Sequence, residues 1–126
     1  MIRHFNYYLT GAGWAEARFV SDSQEISFEV SYLSDPLFEL CTGLASLSDG
    51  SKTELDIVFA DEPGEHCLYL RKIDNFLLTE IYWSDEWSLL QGEQRLPTDT
   101  QPIYREEGTI QNFSTVVFEG IRDLLN

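Results

Sequence analysis

The stretch Thr53–Glu86, TELDIVFADEPGEHCLYLRKIDNFLLTEIYWSDE, constrains the fold more than any other. It contains three runs rich in β-branched, aromatic and leucine residues, separated by Asp61-Glu62-Pro63-Gly64-Glu65 and by Ile73-Asp74-Asn75. Two turn signals between three such runs predict an antiparallel meander. In the first run Leu55, Ile57 and Phe59 oppose Glu54, Asp56 and Val58. In the second, Cys67, Tyr69 and Arg71 oppose Leu68 and Leu70. The third places Leu77, Thr79, Ile81 and Trp83 on one face and Phe76, Leu78, Glu80 and Tyr82 on the other. Apolar groups on both faces predict a central strand covered twice, or one whose outer face is a binding surface.

Upstream, Gly11 and Gly13 punctuate an aromatic start that contains Phe5, Tyr7 and Tyr8. Trp14 to Ser21 alternates with apolar residues on both faces, so its buried side stays open. Ile26, Phe28, Val30 and Tyr32 alternate cleanly with Ser27, Glu29 and Ser31. A polar turn at Asp22-Ser23-Gln24 makes the two runs a hairpin. Asp35-Pro36 then starts a helix: the carboxylate accepts from a free backbone N–H, and proline has no N–H to lose at the first helical position. Leu37, Leu40, Cys41 and Leu44 recur at helical spacing until Asp49-Gly50 ends the segment. Gly43 inside it costs about 1 kcal/mol against alanine, which points to a loose helix or a close neighbour.

From Ser84 to Glu107 the periodicity fades, and Gln91-Gly92, Pro97 and Pro102 break any long element, so an irregular loop is expected. After Gly108, Thr109 can cap a helix carrying Ile110, Phe113, Val117, Ile121 and Leu124 on one side. The fold class that follows is α+β. It comprises an antiparallel sheet of about five to six strands (hairpin, helix, three-stranded meander) with a C-terminal helix packed on it, in one domain spanning residues 1–126.

Charge narrows the functional classes. The 126 residues carry 22 acids against 8 lysines and arginines, a net charge of −14. Between Phe19 and Leu70 eleven acids face the single base Lys52, leaving −4 for the rest of the chain. Such a field repels nucleic-acid phosphates and anionic membranes and speeds encounter with a basic partner. Neither nucleic acid nor membrane is therefore an expected partner; acidity also serves plain solubility. No run approaches the roughly 18 apolar residues of a membrane span, and the N-terminus lacks a signal-peptide core. Cys41 and Cys67 match no CxxC pairing and read as two buried thiols in a reducing compartment. The expected localisation is cytoplasmic.

No strong catalytic motif is present. His66 adjoins Cys67, but neighbours on a strand point to opposite faces, so they form no dyad unless the strand is bulged. His4 and His66 are too far apart in sequence for a recognisable ligand set, and HExxH and CxxC are missing. Asp56, Asp61, Glu62 and Glu65 offer oxygen ligands for calcium without the DxDxDG spacing, so a solvated acidic turn is the reading. Gly11-Ala12-Gly13 lacks the remainder of a phosphate loop. No metal, cofactor or catalytic residue is assigned, and the chain is not expected to be an enzyme.

What survives is a surface. Acid-rich turns beside aromatics combine steering with apolar anchors, as protein-binding faces do. The candidate contact residues are Asp56, Asp61, Glu62, Glu65, Glu80, Tyr82, Trp83, Asp85, Glu86 and Trp87, with Trp83 and Trp87 also readable as core at the sheet end.

With the order hairpin, helix, meander and terminal helix, the YWSDEW segment and the C-terminal NFSTVVFEGIRDLL, the chain resembles the small acidic immunity proteins that bacteria encode beside polymorphic or contact-dependent toxins. The resemblance is architectural and carries over no individual residue. It implies a protein that neutralises a basic toxin or nuclease domain by charge complementarity. Two other classes compete. One is an acidic secretion-chaperone-like binder, against which the glycine-broken aromatic start argues. The other is a small enzyme using paired carboxylates, which would need a pocket and a raised carboxyl pKa. The sequence carries no signal for oligomeric state.

Overall fold

A computed structural model describes residues 1–31, 35–61, 64–84 and 101–125. Its elements, in chain order, are β1 (Ile2–Gly11), β2 (Trp14–Ser21), β3 (Glu25–Ser31), α1 (Pro36–Ser48), β4 (Glu54–Asp61), β5 (Gly64–Ile73), β6 (Phe76–Ser84), β7 (Tyr104–Thr109) and α2 (Ile110–Leu125). The expected single sheet is two: an antiparallel β1-β2-β3 sheet and an antiparallel β4-β5-β6-β7 sheet. The hairpin and the meander are both present, but α1 lies between them in sequence, and each closes its own hydrogen-bond ladder.

Two strands correct the sequence reading. The aromatic start is a ten-residue strand, β1, whose turn into β2 runs through Gly11, Ala12 and Gly13 at φ +105°, +53° and +84°. Residues 104–109, placed within or beside an irregular loop, form β7, paired from Phe76↔Thr109 to Ile81↔Tyr104. Its sequence, YREEGT, carries only one large apolar residue, so period-two hydrophobicity could not reveal it. Pairing with the Phe76–Ile81 edge of β6 made it a strand.

The helix signals act as the residue types dictate. Asp35 accepts from the Phe38 amide at 3.1 Å with Pro36 in the first turn, and Gly50 follows the end of α1 at φ +83°. Thr109 Oγ1 accepts from the Asn112 amide at 3.1 Å at the start of α2. The close neighbour expected at Gly43 is Leu55 of β4, whose side chain occupies the space a β-carbon would take. Gly120 of α2 lies equally close to the backbone carbonyl of Phe5 in β1. Each helix thus packs on a different sheet, α1 on β4 and α2 on β1.

The core lies between the two sheets. β2 turns Ala15, Ala17 and Phe19 inward, which settles the face that alternation left open. Phe19 touches Phe5 (5.0 Å between ring centres), Phe28 and Tyr104 (6.4 Å each), and Phe28 meets Phe59 edge-on at 5.5 Å. This aromatic chain joins β1, β2 and β3 to β4 and β7. Each fully buried Phe or Leu contributes about 1.5–3 kcal/mol, so the chain of rings is a main source of cohesion between the sheets. Neither cysteine is in a disulfide; Cys67 is buried as expected, whereas Cys41 on α1 is only half-buried. Among the described residues no helix is long and apolar enough to cross a membrane.

Candidate protein-binding surface

The register of β4 to β7 sorts the candidate residues by face. One row across the sheet is Phe59↔His66↔Trp83 and the next is Ile57↔Leu68↔Ile81↔Tyr104, all directed at the core side. The intervening rows, Val58↔Cys67↔Tyr82, Asp56↔Tyr69↔Glu80↔Arg105 and Glu54↔Arg71↔Leu78↔Glu107, point the other way. Asp56, Glu65, Glu80 and Tyr82 therefore share the outer face. Asp61 and Trp83 share the inner side, at the end of the sheet where β4 turns into β5. The structure does not bring the six together. Glu62, Asp85, Glu86 and Trp87 lie outside the described residues.

The outer face is graded. Val58, Ala60, Cys67 and Tyr82 are buried yet stand outside the main core, and Glu65 beside them has no solvent exposure. Toward the Asp74-Asn75 turn the face opens into Asp56, Glu80 and Tyr69, half-buried, and then Glu54, Arg71, Arg105 and Glu107, exposed. Arg105 lies 3.8 Å from Glu80 and 3.4 Å from Glu107, and Arg71 lies 3.8 Å from Glu54. Burial, reinforced by a hydrogen bond to Glu54, pushes the Tyr69 phenol up to about 12. Burial, with Glu80 adding to it, likewise raises Tyr82. Both phenols stay neutral donors among carboxylates. Five carboxylates (Glu54, Asp56, Glu65, Glu80 and Glu107) against two arginines leave this face negative, and Glu54, Glu80 and Glu107 each lie against an arginine.

The inner end differs. His66 is stacked on Phe28 of β3 at 4.0 Å and 15° between planes, and Trp83 lies against it at 4.8 Å, tilted by 53°. Burial holds the imidazole down at about 4, so it is neutral at physiological pH. His66 points inward and Cys67 outward, so the two form no dyad. Gly64, the cross-strand partner of Asp61, has no side chain because the Trp83 ring lies over it: a β-carbon there would come within 2.5 Å of Trp83 Cη2 and would strike the Ser84 carbonyl. Trp83 keeps 37% of its surface exposed. The Asp61 carboxyl is raised by partial burial and by the nearby charge of Glu29 from β3. Glu29 itself is directly opposite Glu16 of β2, which in turn is opposite Tyr8 of β1. An acidic line thus runs from the outside of the three-stranded sheet to the mouth of the four-stranded one.

Glu16, Glu29 and His66 were not among the candidates. Glu29 counted only toward net charge, because its nearness to Asp61 arises from β3 lying beside β4, which no local pattern encodes. A groove of about 890 Å³ at the opposite end of the sheet is lined by Ser48, Lys72, Asn75, Thr109, Ser114 and Phe118, among others, and contains no carboxylate. Lys72 there donates to the Leu47 carbonyl at the end of α1 at 2.8 Å. Among the described residues no three His, Cys, Asp or Glu side chains gather as a metal site.

No protein-family profile matches the chain, and no curated protein does. Among solved structures, the chain is similar to a chain of the CdiA-CT/CdiI toxin and immunity complex from Enterobacter cloacae. The TM-score is 0.52 and the identity 14%, with 94% of this chain and 99% of that one covered. At that identity the likeness is one of fold.

Proposed function

We propose that this chain is a protein-binding module of the immunity type, which neutralises a basic toxin or nuclease domain by covering it with an acidic, aromatic-containing face. The observation that carries the reading is the full-length fold likeness to a chain of a toxin and immunity complex. It is supported by the net charge of −14 and by the concentration of acids between Phe19 and Leu70. A field of this sign accelerates encounter with a cationic surface and disfavours wrong, acidic partners. Inhibition of this kind asks for a rigid, charged surface and no reacting group. The sheets and their aromatic core offer that rigidity, and the separation of His66 from Cys67 leaves no nucleophile–base pair at this place in the meander. The bound state would form in the cytoplasm, where both thiols stay reduced.

Co-expression tests the reading. The product of the neighbouring reading frame, if it is a toxic domain, is expected to be tolerated by cells only when this chain is present. The two are expected to co-purify at low salt with an association rate that falls steeply as ionic strength rises. Toxicity unrelieved by the chain, with no complex at either salt, would overturn the assignment.

A further inference from the structure

We infer that the inner end of the four-stranded sheet, where Trp83 lies over Gly64 beside Asp61 and Glu29, is a receptor for an arginine side chain of a partner protein. The inference deepens the immunity reading and rests on it for the identity of the partner, but not for the chemistry of the site.

Three observations converge. First, the indole of Trp83 occupies the space that a side chain at Gly64 would need, yet Trp83 remains 37% exposed, so a residue packed on the sheet still reaches solvent. Among aromatic side chains an indole is the strongest partner for a cation. Second, Asp61 is the cross-strand neighbour of Gly64 and feels Glu29, and neither carboxylate makes a hydrogen bond or ion pair among the described residues. Elsewhere in the same chain the acids Asp22, Glu25, Glu54, Glu80 and Glu107 are each matched by an arginine. Two neighbouring carboxylates without a cation repel one another, and a guanidinium placed between them would reverse the sign of that term. Third, His66 lies against the indole, tilted by 53° with 4.8 Å between ring centres, and is itself 9% exposed, with Nδ1 buried and without a partner among the described residues. An orphaned buried nitrogen carries a desolvation cost that a phenylalanine on the same stack would avoid. The imidazole carries a dipole that a benzene ring lacks, and because it is neutral it puts no competing positive charge under the ring. Arginine fits better than lysine because its planar fork can stack on an indole and bond a carboxylate in the same pose, whereas an ammonium is a strongly hydrated point charge.

The site is tested by titrating the full chain with Nα-acetyl-arginine N-methylamide while recording amide and indole N–H resonances. The citrulline analogue serves as the neutral control of the same shape. Saturable shifts are expected at the Trp83 indole, at Gly64 and at Asp61 with the arginine compound alone. Asp61→Asn and Trp83→Leu are each expected to weaken binding about fivefold or more, and Glu29→Gln less. Asp123→Asn, on the far end of α2, is expected to leave the titration unchanged. Equal shifts with citrulline, or equal weakening by Asp123→Asn, would overturn the inference by reducing the effect to stacking or to net charge. If Asp61→Asn disturbs folding, Trp83→Leu and the citrulline comparison still decide. Arginine binding here without any toxin partner would leave the site standing and remove the immunity role; a toxin complex indifferent to Asp61→Asn and Trp83→Leu would do the reverse.

Discussion

The two sides of β4, β5 and β6 are made from the same three strands, yet they solve opposite problems. On the inner side the middle rows exclude charge: Ile57, Phe59, Leu68, Ile81 and Tyr104 are fully or almost fully buried, Glu106 and Lys72 enter only toward the Asp74-Asn75 end, and at the other end the face reaches solvent at Trp83. On the outer side, charge is admitted and then cross-linked, Glu54 to Arg71 and Glu80 to Arg105. The outer acids Glu54, Glu80 and Glu107 have arginine neighbours within the chain. Among the described residues Asp61 and Glu29, at the inner mouth, have none. Net charge alone would treat the two sets alike, and the difference between them is what makes the mouth the better place to look for a partner's cation.

The sharpest way to break this contrast is to remove an inner ring. Phe59→Ala is expected to cost about 3–5 kcal/mol in denaturant unfolding, because it deletes an edge-on contact with Phe28 and leaves a cavity that the β3–β4 seam cannot close. A loss below about 1 kcal/mol would mean that the two sheets are not joined through this row.

Protonation tests the same row more gently. The folded state holds His66 near 4, below the ordinary 6.5, so between these values the unfolded chain binds a proton that the folded chain refuses. The corresponding stability is present above about pH 6.5 and is lost as pH falls toward 4, by up to about 3 kcal/mol. His66→Phe is expected to flatten that part of the stability–pH curve, whereas a slope equal to that of the parent would assign the loss to the carboxylates.

Gly64→Ala probes the indole's seat. The added methyl meets the Trp83 ring and the Ser84 carbonyl, and a cost of about 1–3 kcal/mol is expected, with a change in Trp83 side-chain environment visible by NMR. No change in either would show that the ring moves freely.

The outer face should respond least. Removing the Glu54–Arg71 pair with Arg71→Ala is expected to change stability by about 0.5 kcal/mol or less, since both partners are exposed. A double-mutant cycle giving more than about 1 kcal/mol of coupling would contradict the view that these pairs serve charge placement more than stability.

Much of this molecule is local in origin. The Asp35-Pro36 start of α1, the Thr109 cap of α2, the Asp74-Asn75 reversal and the alternation of β3 and β5 each depend on a few adjacent residues whose backbone preferences act before any tertiary contact forms. They were legible for that reason. The weakness of β7 in its own sequence, the choice of Ala15, Ala17 and Phe19 over the alternate face of β2, and the division into two sheets were not, because a period of two specifies alternation without saying which side meets a core.

The candidate site divides along the same line. Sequence by itself determined that the meander would carry acids and aromatics, that His66 and Cys67 would diverge, and that the chain would be strongly anionic. Alternation already set Glu80 and Tyr82 apart from Trp83; only the tertiary structure decided which of those faces meets the core, and that Glu29, 32 positions before Asp61, would approach that carboxylate. The physical reason is that side-chain direction is set locally by the pleat, whereas the neighbours a carboxylate meets across the β3–β4 seam are set by how two sheets bury their rings against each other.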